Sequence, residues 1–143
     1  MSSEFDEVLE HIVKRAEETD AGLGVTLCVN GLIIAGDVIR SARYFDKAVT
    51  FFNEMSITTN DPTEKEIAST HIQHFKQFLQ QKGKSSEERH NPKYIHLDSV
   101  VMYPSDPQHP FGANIWRGKL SSVDAFSLGY GSWKAMHVED VSD

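Results

Sequence analysis

The stretch GVTLCVNGLIIAGDVI, residues Gly24–Ile39, decides the fold. Val25, Leu27 and Val29 alternate with Thr26 and Cys28, the period of a strand with one buried face. Asn30-Gly31 is the pair that a two-residue type I′ turn needs, because both positions take positive φ. That turn sets the register of the returning strand Leu32–Ile39. Val29 falls opposite Leu32, Leu27 opposite Ile34 and Val25 opposite Gly36, while Cys28 faces Ile33 on the second face. A glycine at 36, in mid-strand, implies a bend or a side chain lying over the backbone.

Before the hairpin, Phe5, Val8, Leu9, Ile12, Val13 and Ala16 recur at helical spacing and form one apolar stripe. Ser3 and Asp6 resemble a capping box at its start, and Gly22 or Gly24 can end it. After the hairpin, Ser41 is placed to cap a helix over about 42–55, with Phe45, Ala48, Val49 and Phe52 inward. Asp61, Pro62 and Glu64 open a third helix that runs to about Lys82. Its inward side is expected to carry Ile67, His71, Phe75, Phe78 and Leu79. Residues 83–92 lack apolar content and read as an exposed loop.

Tyr94–Tyr103 is apolar enough for a central strand, and its alternation slips near Asp98-Ser99, which predicts a bulge. Pro104, Pro107 and Pro110 stiffen the next loop. Asn114–Leu120 and Val123–Gly129 are expected to pair as a second hairpin around Ser121-Ser122. The order predicts an α+β fold: a five-stranded antiparallel sheet with helices on one side. One helix is N-terminal and two are inserted between strands 2 and 3. Curling into a small Sm/SH3-like barrel is left open by the pattern. Residues 1–131 are assigned to one domain and 132–143 to a short acidic tail, from which Trp133 could dock.

At 143 residues and 39% hydrophobic, the chain can bury a sizeable core. Its one cysteine, Cys28, excludes an internal disulfide and fits a reducing, cytoplasmic setting. No long apolar run is present, so neither a signal peptide nor a membrane span is expected. The net charge of −7 is a poor basis for binding phosphate backbones, so nucleic acid is not an expected partner. That charge is uneven. Residues 1–20 carry Glu4, Asp6, Glu7, Glu10, Glu17, Glu18 and Asp20 against Lys14 and Arg15. Residues 62–93 lean basic through Lys65, Lys76, Lys82, Lys84, Arg89 and Lys93.

Catalytic chemistry finds little support. His71 and His74 share a helix at i, i+3, and with His96 they define a metal-dependent enzyme as the weaker alternative. No further ligand stands at matching spacing, so no metal, cofactor or catalytic residue is assigned. Cys28 lies on a strand without a neighbouring base and is expected to be buried and inert. Glycine-rich phosphate loops and nucleophile elbows are missing as well. The best polar candidates are Arg117 and Lys119 in Ile115-Trp116-Arg117-Gly118-Lys119. They project from the face opposite Trp116 and Leu120, and the Trp–Arg combination suits a partner-binding surface. Exposed strands and uneven charge together predict a homo-oligomer.

Several blocks in one order resemble the gas vesicle accessory protein U (GvpU) family. They are Val29-Asn30-Gly31, Gly36, Ile39-Arg40-Ser41-Ala42-Arg43-Tyr44-Phe45-Asp46, Ile95-His96-Leu97, and Ile115–Lys119 followed by Val123, Phe126, Leu128 and Gly129. The resemblance covers about residues 22–58 and 93–130. It implies a non-catalytic cytoplasmic accessory or scaffolding protein, associated with gas vesicles and contacting gas vesicle proteins. A fainter likeness joins the first helix and hairpin to the opening of Sm-like folds, with an oligomeric ligand- or RNA-binding module as the second alternative.

Overall fold

The computed structural model describes residues 5–20, 22–103 and 111–129. The proline loop at 104–110 and the acidic tail with Trp133 lie outside them. Helix α1 (Glu7–Thr19) starts at Asp6, whose carboxylate accepts from the backbone N–H groups of Val8 and Leu9 at 2.7 and 3.2 Å. It ends at Asp20, which takes the left-handed conformation at φ 54°. The cap at each end is therefore an aspartate, and neither Gly22 nor Gly24 is required to stop the helix.

Strands β1 (Leu23–Val29) and β2 (Leu32–Ile39) pair in the register set by the turn, with Asn30 at φ 50° and Gly31 at φ 81°. Helices α2 (Ser41–Asn53) and α3 (Pro62–Lys84) follow, then the short helix α4 (Glu87–His90). Strands β3 (Tyr94–Tyr103), β4 (Phe111–Lys119) and β5 (Ala125–Leu128) complete an antiparallel sheet of order β4-β3-β2-β1-β5. Gly36 sits where the β2–β3 register shifts, opposite Ser99 at φ 54°, so the slip near Asp98-Ser99 is a bulge.

The expected second hairpin is not formed. β4 pairs with β3, and β5 pairs with β1, at opposite ends of the sheet. The reason is the single 3-10 turn at Leu120–Ser122, which buries Leu120 in the core instead of reversing the chain. A flat sheet would separate β4 from β5 by roughly 19 Å, four strand spacings. The link from Lys119 to Ala125 is too short and too tightly wound to cross that comfortably, so the sheet curls. It stops short of a closed barrel, for β4 and β5 are not paired.

Leu9, Val13 and Ala16 of α1 pack on Val25, Leu27, Ile34, Val38, Ile95, Leu97 and Val100, with Leu120 closing the cluster. The opposite face is covered as well, which corrects the expectation of helices on one side. Phe45 of α2 is buried there, its ring 5.9 Å from that of His96, whose neighbours Ile95 and Leu97 point to α1. The sequence accounts for this: β2 reads LIIAGDVI and buries residues of both parities, Ile34 and Val38 on one side, Ala35 and Ile39 on the other. A strand that is apolar on both faces calls for cover on both.

Candidate functional site

The segments that resemble the GvpU family converge at one end of the sheet. Ile39, His96 and Arg117 form one row across β2, β3 and β4. α2 enters beside them, and α4 closes over the end. The N-terminus of α2 has no cap from its own preceding residue. Glu17 of α1 supplies one instead, accepting from the Ser41 backbone N–H at 2.6 Å and from its hydroxyl at 2.8 Å. Burial pushes the Glu17 carboxyl above the usual carboxylate range, and the two Ser41 hydrogen bonds oppose that shift.

Arg117 is the hub. Its guanidinium lies over the Tyr94 ring at 3.9 Å and near the Phe45 ring at 5.2 Å. Nη1 donates to Glu88 Oε1 at 2.8 Å and to His96 Nε2 at 2.6 Å. Since an arginine nitrogen can only donate, His96 accepts through Nε2 and carries its proton on Nδ1. His96 is 1% exposed, and Nδ1 has no hydrogen-bond partner among the described residues. Burial first, and the Arg117 charge second, lower its pKa to about 3. The imidazole is neutral and locked.

This cluster joins α1, α2, α4 and the sheet, and its groups are committed to one another. It also corrects the reading of 83–92 as an exposed loop: Pro92 is fully buried, and Glu88 is drawn in by Arg117. Sequence reasoning missed Glu88, since its partner is remote in the chain. Glu17 left a signal, an acid beside Ala16 at an inward position of the α1 stripe. Of the two proposed partner-binding residues, Arg117 is half-buried in this network and Lys119 is exposed.

The histidines are not brought together. His71 and His74 are exposed on α3, whereas His96 is under α2. Among the described residues no group of three His, Cys, Asp or Glu could hold a metal ion. Cys28 is half-exposed rather than buried, because among the described residues no helix covers the β1–β5 end of its face.

Apolar exposure concentrates on the helical pair. α3 has no buried residue, and Ile67, Phe75 and Phe78 are more than half exposed, against the expectation of an inward side. Phe51 and Met55 of α2 are exposed too. Gly83 lies against Phe45, and Phe75 stacks on Phe52 at 5.6 Å, so α2 packs along one side of α3. Between α2, Leu79 of α3 and the edge strand β4 lies a groove of about 590 Å³, lined by Tyr44, Ala48, Phe51, Phe52 and Ile115 among others.

An open, curled antiparallel sheet clamped between helices by a Glu–Arg–His network, with most of its large exposed apolar side chains on one helical pair, defines a small α+β domain. The chain belongs to the GvpU-like family, whose description is "Gas vesicle protein GvpU-like" and whose model matches residues 6–130. No curated protein and no solved structure matches it.

Proposed function

We propose that the protein is a non-catalytic gas vesicle accessory protein that works by protein–protein contact, as a scaffold in vesicle assembly or organisation. Family membership supplies the vesicle context. The observation that carries the mode of action is the groove between α2, Leu79 and β4, flanked by the exposed Phe51. An apolar concavity beside an edge strand suits an apolar segment of a vesicle protein, with main-chain hydrogen bonds available along β4. Lys47 and Glu54 at its rim give polar anchors for orientation.

Flotation tests this reading. Purified gas vesicles rise on centrifugation, and the protein is expected to rise with them. Phe51→Asp, at an exposed position, should leave it in the subnatant with its fold unchanged by circular dichroism. Wild-type protein that stays below buoyant vesicles at micromolar concentration overturns the proposal.

A further inference from the structure

We propose that α3 is a self-pairing helix, which docks antiparallel on α3 of a second copy of this chain. The inference concerns a different surface from the groove and rests on the vesicle reading only for its biological setting.

The starting point is that α3 spans 23 residues, roughly 34 Å at the α-helical rise, and none of them is buried. Its extensive contact among the described residues is with α2, through the stripe that holds the half-buried Ala68, Ile72, Leu79 and Gly83. A second stripe, Ile67, His71, His74 and Phe78, runs beside it at i, i+4, i+7 and i+11 and is exposed throughout. A long helix with an open apolar stripe draws its stability from packing, so this one is incomplete as a lone element.

Its chemistry selects the occupant. The open stripe reads apolar, His, His, apolar, and reads the same in reverse about a midpoint between Ile72 and Gln73. A twofold axis there sets Ile67 against Phe78 of the second copy and His71 against His74. The flanking charge is antisymmetric about the same point. Asp61, Glu64 and Glu66 lie at the start, with Lys65 the only base among them, and Lys76, Lys82 and Lys84 lie at the end. Inverting a second copy places acids opposite bases at both ends and sets the helix dipoles antiparallel. A parallel arrangement would set like charges together. Self-complementarity of one patch is what an isologous twofold interface requires.

Charge reversal tests the occupant and the orientation together, read by analytical ultracentrifugation from micromolar to millimolar protein. Wild type is expected to dimerise, and Phe78→Glu to sediment as a folded monomer. Reversing one end alone, either E64K/E66K or K82E/K84E, should weaken the dimer about tenfold or more, close to 1.4 kcal/mol. Reversing both ends in the same chain restores the acid–base match and should return the affinity to within about threefold of wild type. Restoration excludes any partner other than an inverted copy. A monomeric wild type, a dimer indifferent to Phe78→Glu, or a full reversal that stays as weak as its halves each overturns the inference. Flotation of the Phe78→Glu monomer separates the two ideas: it still rises with vesicles if the groove acts alone, whatever the state of the dimer.

Discussion

The Glu17 carboxylate of α1 holds both the backbone N–H and the hydroxyl of Ser41, at 2.6 and 2.8 Å, so one helix caps the next across the end of the sheet. All three groups are buried, and a helix N-terminus favours negative charge. Glu17→Ala strands the two Ser41 donors away from water and is expected to cost about 1–3 kcal/mol. Burial raises the Glu17 pKa, so its share of stability is complete below the ordinary carboxylate range and declines as pH rises through the folded value. Glu17→Gln removes that decline. Urea unfolding of the three proteins at pH 4, 5 and 7 checks both, and an unchanged midpoint for Glu17→Ala at pH 7 would contradict the capping role.

Acid should act on His96 before it acts on the carboxylates. The folded pKa is about 3 against 6.5 for the free side chain, so the unfolded chain binds this proton first as pH falls. The stability contribution is present above pH 6.5 and is lost progressively down to the folded value. Between pH 6.5 and pH 5 the loss is expected to approach about 2 kcal/mol, near 1.4 kcal/mol per unit. His96→Gln should flatten that limb of the pH–stability curve. A wild-type curve that is already flat in this interval would sink the assignment of a neutral, buried imidazole.

Arg117 and Lys119 point the same way from β4 but differ in what surrounds them. Arg117→Ala removes what is, among the described residues, the only cation bonded to Glu88, itself little exposed, and empties the space between Tyr94 and Phe45. The expected cost is about 2–4 kcal/mol, most of it from the stranded carboxylate. Adding Glu88→Gln should recover part of it, since the uncompensated charge goes too. Lys119→Ala should change stability by under about 0.5 kcal/mol. Chemical denaturation of all three variants tests the ranking. Equal effects of Arg117→Ala and Lys119→Ala would remove the clamp from the account.

How much of this was legible beforehand depends on range. The β1–β2 register followed from Asn30-Gly31 and two-residue alternation, both local, and the bulge at Ser99 from a local slip. The family resemblance rested on the same segments. The β4–β5 link is not legible in the sequence because Ser121-Ser122 looks like a hairpin turn, whereas the burial of Leu120 is decided by the whole core. An apolar stripe ordinarily marks an inward side, and only the placement of α2 shows that the one on α3 lacks cover among the described residues. Glu88 sits in a polar run with no pattern of its own. Its role exists through Arg117, 29 positions away.

Gly36 offers the sharpest test of the curl. A β-carbon there would lie 2.9 Å from the Asp98 carbonyl oxygen, 3.2 Å from Val100 Cγ2 and 3.3 Å from Leu97 Cβ. The nearest obstacle is backbone, and it belongs to the bulge where Ser99 already adopts positive φ, so relief requires β3 to move away from β2. Gly36→Ala is therefore expected to cost about 2–4 kcal/mol. Gly31 is a useful control, with open space around its β-carbon position and φ at 81°. There the cost is conformational alone, about 1–2 kcal/mol. Gly118 is the intermediate case, because its obstacle is the Trp116 ring, a side chain that can rotate at the expense of its packing on the core. Thermal and urea unfolding of the three alanine variants should rank Gly36 as the most costly. If Gly31→Ala proves worse than Gly36→Ala, the β2–β3 approach is looser than described, and the bulge would not set the bend of the sheet.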